Sequence, residues 1–131
     1  MAEHPNVEAT RASLEGFMKG DMGAMAAGIA EDAVWHVPGS HAWSGEYRSK
    51  GEILGRFQKM AEVGVSTVLD EIHDIVGNDE HVMAMVKLTL NAPGGSASQT
   101  SVWIMHVRDG KAIEFWARNE DQGAIDALIG S

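Results

Sequence analysis

Cysteine is absent from this 131-residue chain. Disulfides, thiol catalysis and thiolate metal ligation are therefore excluded, and the composition fits a reducing cytoplasm, where we expect the protein. No run of about 18 apolar residues occurs, so no segment reads as membrane-spanning and no membrane partner is expected. The opening Met1-Ala2-Glu3-His4-Pro5 lacks the basic and apolar regions of a signal peptide. Positive charge is scarce: 10 Lys and Arg stand against 19 Asp and Glu, a formal net charge of −9. Such a surface, with no basic stripe, repels a phosphate backbone, so nucleic acid is not an expected partner. The acidity serves solubility.

Metal and nucleotide motifs are also missing. His36 and His41 have no third ligand at a metal-binding spacing, and no HExxH occurs. No GxGxxG follows a strand, and Pro93-Gly94-Gly95-Ser96 reads as a turn rather than a phosphate cradle. Neither a metal nor an organic cofactor is expected.

What is present is a single pattern running the length of the chain. No internal repeat or linker divides it, and a chain of this size buries roughly two thirds of its unfolded surface, so residues 1–131 read as one domain. Val7, Leu14, Phe17 and Met18 share one face of a first helix, with Asn6 as its N-cap. Lys19-Gly20 ends that helix, and Asp21 caps a second, short one in which Met22, Met25, Ala26 and Ile29 repeat at helical spacing. Val34–Val37 is β-branched and aromatic and is stopped by Pro38-Gly39, a short strand. Ser49-Lys50-Gly51-Glu52 matches a capping box, opening a third helix with the stripe Ile53, Leu54, Phe57, Met60 and Ala61.

From Val65 the period changes. Val65–Val76, His81–Leu90, Ser98–Val107 and Ala112–Ala117 are four strand candidates, punctuated by Gly77-Asn78-Asp79, Pro93-Gly94-Gly95 and the hairpin pair Asp109-Gly110. Asn119 starts a last helix carrying Ile125, Leu128 and Ile129. The order ααβαββββα predicts an α+β domain, with three to four helices gathered on one face of an antiparallel sheet of about five strands.

The stretch from Asp32 to Gly45 holds two indoles, Trp35 and Trp43, and two imidazoles, His36 and His41, at the exit of a strand. Indole is costly to leave in water, and a buried imidazole needs a partner. Two arrangements fit. One is the mouth of a small-molecule site, with apolar walls and a few titratable groups. The other is a packed corner in which Trp35 is core and the histidines are wet. The eight methionines suit either adaptable ligand contacts or plain core.

The element order, together with Lys19-Gly20-Asp21, Glu31-Asp32-Ala33-Val34-Trp35 and Arg108-Asp109-Gly110-Lys111, resembles the NTF2-like superfamily and, within it, the SnoaL-like and ketosteroid-isomerase-related branch. The resemblance covers nearly the whole chain. It implies a strongly curved sheet wrapped by helices into a cone, an apolar interior that serves as ligand pocket, and a homodimer formed through the sheet. It does not give the reaction, because one fold hosts many functions.

Catalytic positions of that branch transfer poorly. The tyrosine that ketosteroid isomerases carry in the first helix corresponds to Ser13, their general base to Val37, and their second oxyanion acid to Trp103. The Glu-His-Trp-Asp-like stretch of SnoaL-type cyclases corresponds to Glu114-Phe115-Trp116-Ala117, in which only the glutamate and tryptophan remain. The paired aspartates and arginine of the limonene-epoxide-hydrolase branch have no inward counterpart; Arg118 has the opposite parity to Phe115 and Ala117.

Those positions face inward in the family, which orients the strands here. By alternation Trp35 and Val37, then Ser101, Trp103 and Met105, then Ile113, Phe115 and Ala117 should line the cone, closed by Phe17, Phe57 and Met60 from the helices. Trp103 and Phe115 either wall a cavity or fill it. His36 alternates outward unless a bulge before Pro38 turns it back, while His41, Trp43 and Tyr47 sit on a loop over the entrance. An exposed His41 would titrate near pH 6.5, a suitable acid or base.

The residues thus point to a cofactor-free enzyme acting on a small hydrophobic, cyclic or polyketide-like metabolite by isomerisation, cyclisation or hydration. His36 or His41 would supply acid–base catalysis, and Trp35, Trp43, Tyr47, Phe17, Phe57, Met60, Trp103, Met105 and Phe115 would hold the ligand. Two other expectations stand beside it: a non-catalytic carrier of a hydrophobic ligand, and a dimeric scaffold domain.

Overall fold

A computed structural model describes residues 3–131. Pro5 sets the start of the first helix, α1 (Pro5–Met18), because its ring presets φ and its missing N–H is one that a first turn leaves unbonded. His4 is the N-cap, its ring accepting from the Asn6 N–H at 3.1 Å. The cap therefore lies two residues before the expected Asn6, whose amide instead donates to the Asn78 and Asp79 carbonyls. Asp21 caps α2 (Met22–Ala27) as expected, through the Ala24 N–H. Gly28 closes that helix, so Ile29 belongs not to α2 but to the first strand, β1 (Ile29–Val37).

A short strand, β2 (Gly45–Arg48), pairs antiparallel with β1, and its Gly-Glu-Tyr-Arg sequence is too short and polar to show a strand period. Ser49 then caps α3 (Lys50–Glu62) through the Glu52 N–H. The returning Glu52 carboxylate reaches the Arg48 N–H at 3.2 Å rather than that of Ser49. The reason is that the Ser49 N–H already donates to the Ala33 carbonyl at 2.7 Å.

The meander follows as β3 (Ser66–Gly77), β4 (His81–Ala92), β5 (Gly95–Arg108) and β6 (Lys111–Asn119). Asn119 stays in β6, so α4 (Gln122–Ile129) begins later than expected, capped by Asp121.

The sheet has six strands in the order β2-β1-β6-β5-β4-β3, one more than about five. It is also mixed. The meander is antiparallel throughout, and β6 meets β1 running parallel, with Trp35 opposite Phe115 and His36 opposite Trp116. Register shifts within β1–β6, twice within β3–β4, and between His106 and Val107 of β5–β6 mark bulges. Bulges bend a strand and increase its twist, which curls this sheet around the helices.

Two apolar clusters fill the concave side. One joins Val7 and Leu14 of α1 to Leu69, Val82, Val86 and Trp103 of the meander; the other joins Met25 and Ile53 to Ile29 and Ala33. Trp35 packs against both and links them. No helix among the described residues is long and apolar enough to cross a membrane.

Ile53 has no exposed surface and is the apolar anchor of α3. Ile53→Ala should lower unfolding stability by about 2–5 kcal/mol, the usual range for emptying such a site. In urea this appears as a lower midpoint at unchanged slope.

Candidate functional site

Curvature leaves a cavity of about 130 Å³ between the sheet and the helices. Trp35, Val37, Trp103, Met105, Phe115 and Ala117 line it from the strands, and Phe17 and Phe57 from α1 and α3. Five rings form a closed circuit. Phe17 meets Phe57 edge-on at 5.7 Å, Phe57 meets Trp35 at 5.7 Å, and Trp35 stacks on Phe115 at 4.5 Å. Phe115 meets Trp103 at 5.7 Å, and Trp103 returns to Phe17 at 6.5 Å. Trp103 and Phe115 therefore pack on each other as wall rather than plugging the space.

The inward alternation expected for β5 and β6 holds with two corrections. Ile113 falls in the β5–β6 bulge, where Val107 pairs with Ala112 and His106 with Glu114. Ala112 lines the cavity instead, and Ile113 packs with the α2–α3 cluster. Ser101 is buried but is held at the end of β6, donating to the Asn119 side chain at 2.7 Å. Ser13, which the resemblance aligned with a tyrosine, lines the cavity and donates to the Met25 carbonyl at 2.8 Å.

Three expected ligand contacts lie outside the lining. Met60 is fully buried at the end of α3, where its carbonyl receives the Val63 and Val65 N–H groups. Tyr47 directs its hydroxyl to the Trp43 carbonyl at 2.9 Å. Trp43 serves through its peptide groups, its half-buried indole not reaching the cavity.

The two candidate imidazoles part company. His36 keeps regular pairing, so no bulge turns it inward, and it occupies the outer face of the sheet. There it stacks on Trp116 at 5.3 Å between two carboxylates, Glu114 at 2.6 Å and Glu46 at 3.4 Å. It does not line the cavity.

His41 does, and it is buried rather than exposed, at 8% relative exposure. Its loop is pinned to α4. Gly39 has a φ of 94°, a backbone conformation that favours glycine, and packs against the side-chain ends of Gln122 and Asp126, and the Ala42 N–H donates to the Gly130 carbonyl at 2.8 Å. His41 Nδ1 accepts from the Trp43 N–H at 3.0 Å, which places the proton of the neutral ring on Nε2. Burial lowers its pKa, the Arg56 charge lowers it further, and Asp126 opposes weakly. Near neutral pH it is an uncharged donor.

Arg56 is a cavity-wall cation that the helical stripe concealed. It falls between Ile53 and Met60 at i, i+3, i+7, within the apolar face, and a charge at such a position is the signal that could have revealed it. The structure buries it to 9% exposure at the cavity wall. Its Nε donates to the Trp43 carbonyl at 3.3 Å, and the guanidinium lies over Tyr47 at 5.3 Å and Phe57 at 5.7 Å. No carboxylate lies within ion-pair distance of it among the described residues. Burial lowers its pKa while the Tyr47 phenol favours the charge, and a guanidinium stays protonated regardless.

Among the described residues the cavity wall contains no Asp or Glu. The single buried side-chain polar atom without a partner among the described residues is also a donor, Trp35 Nε1. Apolar side chains, one cation, the His41 ring and the neutral polar side chains of Thr10, Ser13, Thr67 and Asn119 therefore make up the chamber. No three His, Asp or Glu side chains converge as a metal site among the described residues.

The family of SnoaL-like domains matches residues 10–115. The uncharacterized protein Rv0034 of Mycobacterium tuberculosis is 24% identical over 121 residues, covering 89% of this chain and 92% of its own. An NTF2-like protein of unknown function from Burkholderia pseudomallei superposes with a TM-score of 0.83 at 20% identity, covering 98% of this chain and 99% of that one. TerC, co-crystallized with polyporic acid, superposes with a TM-score of 0.82 at 23% identity, covering 98% and 100%.

A lowered His41 pKa has a defined sign. Between the folded value and the ordinary 6.5 the unfolded chain binds the proton more readily, so stability falls as pH drops through that window. Urea midpoints at pH 7.5 and 5.0 should differ more for the wild type than for His41→Gln. Equal differences would show that the buried neutral ring contributes nothing to the pH dependence.

Proposed function

The chain belongs to the SnoaL-like domain family, and from that membership we propose a cofactor-free enzyme that isomerises or otherwise moves a proton on a small hydrophobic cyclic metabolite inside the cone. The observation that carries this reading is His41 Nε2–H, an uncharged donor presented by a fixed loop to an aromatic chamber. A neutral imidazole can polarise a carbonyl by hydrogen bonding and hold the enolate oxygen that develops as an α-proton leaves. The Arg56 charge beside it favours the same negative charge. With no carboxylate in the wall among the described residues, water takes the α-proton, and solvent returns one to the γ-carbon of the dienolate to give the conjugated ketone.

Size narrows the substrate. An apolar cavity of about 150 Å³ holds benzene, so 130 Å³ suits a single six-membered ring better than a fused polyketide. TerC, which shares the fold, was crystallized with an organic molecule, and that supports a small organic occupant here. The same missing base favours a second reading, a carrier that holds such a ring without turnover. As a further part of this proposal, the protein pairs as a homodimer through the outer sheet face, where Met83, Ile104 and Trp116 form a row across β4, β5 and β6. Sedimentation equilibrium should then give a dimer that Ile104→Glu converts to monomer.

Conversion of cyclohex-3-enone to its conjugated isomer, followed by ultraviolet absorbance, tests the enzyme reading. Wild-type protein should accelerate it, and His41→Gln should lose about 10²–10⁴-fold, the usual worth of a positioned proton donor. Saturable binding of the ketone without acceleration would replace the enzyme by the carrier.

A further inference from the structure

The guanidinium of Arg56 is nine-tenths buried, yet the fold uses little of what it offers. Of its five N–H donors, Nε makes a long hydrogen bond to the Trp43 carbonyl at 3.3 Å, and the Tyr47 hydroxyl, which favours the charge, is its other polar neighbour; neither partner is an anion. That carbonyl already accepts the Tyr47 hydroxyl at the shorter distance of 2.9 Å, so Arg56 is not needed to satisfy it. Cation–aromatic contact with Tyr47 and Phe57 eases the burial but supplies no counter-charge.

The surrounding elements do not supply one either. Asp126, the carboxylate that His41 feels, is engaged by the Gln122 amide at 3.0 Å and the Ser40 hydroxyl at 3.3 Å. Glu52, the acid of the α3 capping turn, points its carboxylate to the Arg48 N–H. The charges belonging to this wall therefore sum to one positive charge beside an apolar chamber.

We infer that the ligand carries a carboxylate on its ring and that Arg56 recognises it, so the cavity selects monocyclic carboxylates over neutral rings. The inference rests on the cavity being the ligand site. A guanidinium matches a carboxylate in geometry through paired N–H donors. One cation matches a monoanion, whereas a phosphate dianion would leave charge uncompensated in an aromatic enclosure. His41 Nε2–H remains free for a second oxygen, since its Nδ1 is occupied by the Trp43 N–H. The two donors are tied to the N–H and C=O of one residue, so they are held in fixed relation to one another.

Benzoate and its near-isosteric neutral counterpart benzamide separate the possibilities by calorimetric titration at pH 7.5. Wild-type protein should bind benzoate at least tenfold more tightly than benzamide. Arg56→Met should abolish that preference while keeping affinity for benzamide. The wild-type comparison needs no variant, so it stands even if Arg56→Met does not fold. Benzamide binding as tightly as benzoate, or Arg56→Met keeping the tenfold preference, would overturn the assignment to Arg56 and leave the cavity as a site for neutral rings. Binding of neither ring would overturn the assignment and the cavity reading together.

Discussion

The peptide groups of Trp43 hold both ionisable residues of the chamber. Its N–H engages His41 Nδ1 and thereby selects the tautomer, and its carbonyl receives Arg56 Nε and the Tyr47 hydroxyl. A loop carrying that much of a site has to be rigid. It is bolted to the end of α4 through Gly39, Ala42 and Ser40, and closed internally by the Ser44 hydroxyl donating to the Pro38 carbonyl at 3.0 Å. Loops positioned by a rigid scaffold are where function concentrates, and here the scaffold contacts are visible one by one.

The sheet decides what the loop faces. Parallel pairing of β1 with β6 brings Trp35 against Phe115, and antiparallel pairing of β6 with β5 brings Met105 opposite Phe115 and Trp103 opposite Ala117. Two rings from α1 and α3 then complete the aromatic circuit. Hydrophobic burial alone would collapse such a set of side chains. Strand curvature from the bulges keeps the walls apart, and rings in contact at their edges brace one another.

The polar groups of the cavity do not occupy the positions that the sequence resemblance suggests. The positions that the resemblance aligns with acids and a tyrosine hold Val37, Trp103 and Ser13, and all three line the cavity. The charged and titratable groups of the cavity wall lie instead on the loop after β1 and on one turn of α3, as His41 and Arg56. On the reading proposed above, such a chamber would stabilise negative charge on its ligand.

Much of the architecture is legible in the chain because it follows from local chemistry. Asp21 and Ser49 announce their helices by side-chain capping, Asp109-Gly110 announces its hairpin, and alternation in β5 assigns Trp103 and Met105 to the interior. The family resemblance follows from the order of such signals. Other features have no local cause. β2 exists only because β1 offers it an edge, Ile113 leaves the cavity because a bulge absorbs one residue, and His36 and His41 part because one lies in a regular strand and the other under a helix end. Arg56 stands out as a charge within the apolar stripe of α3, but only the docking of α3 turns that side into the chamber. Sequence by itself determined most of the elements and most of their faces, since backbone propensity and side-chain period act over a few residues. Tertiary structure alone decided which polar groups lose their water, because desolvation depends on neighbours brought together from distant parts of the chain.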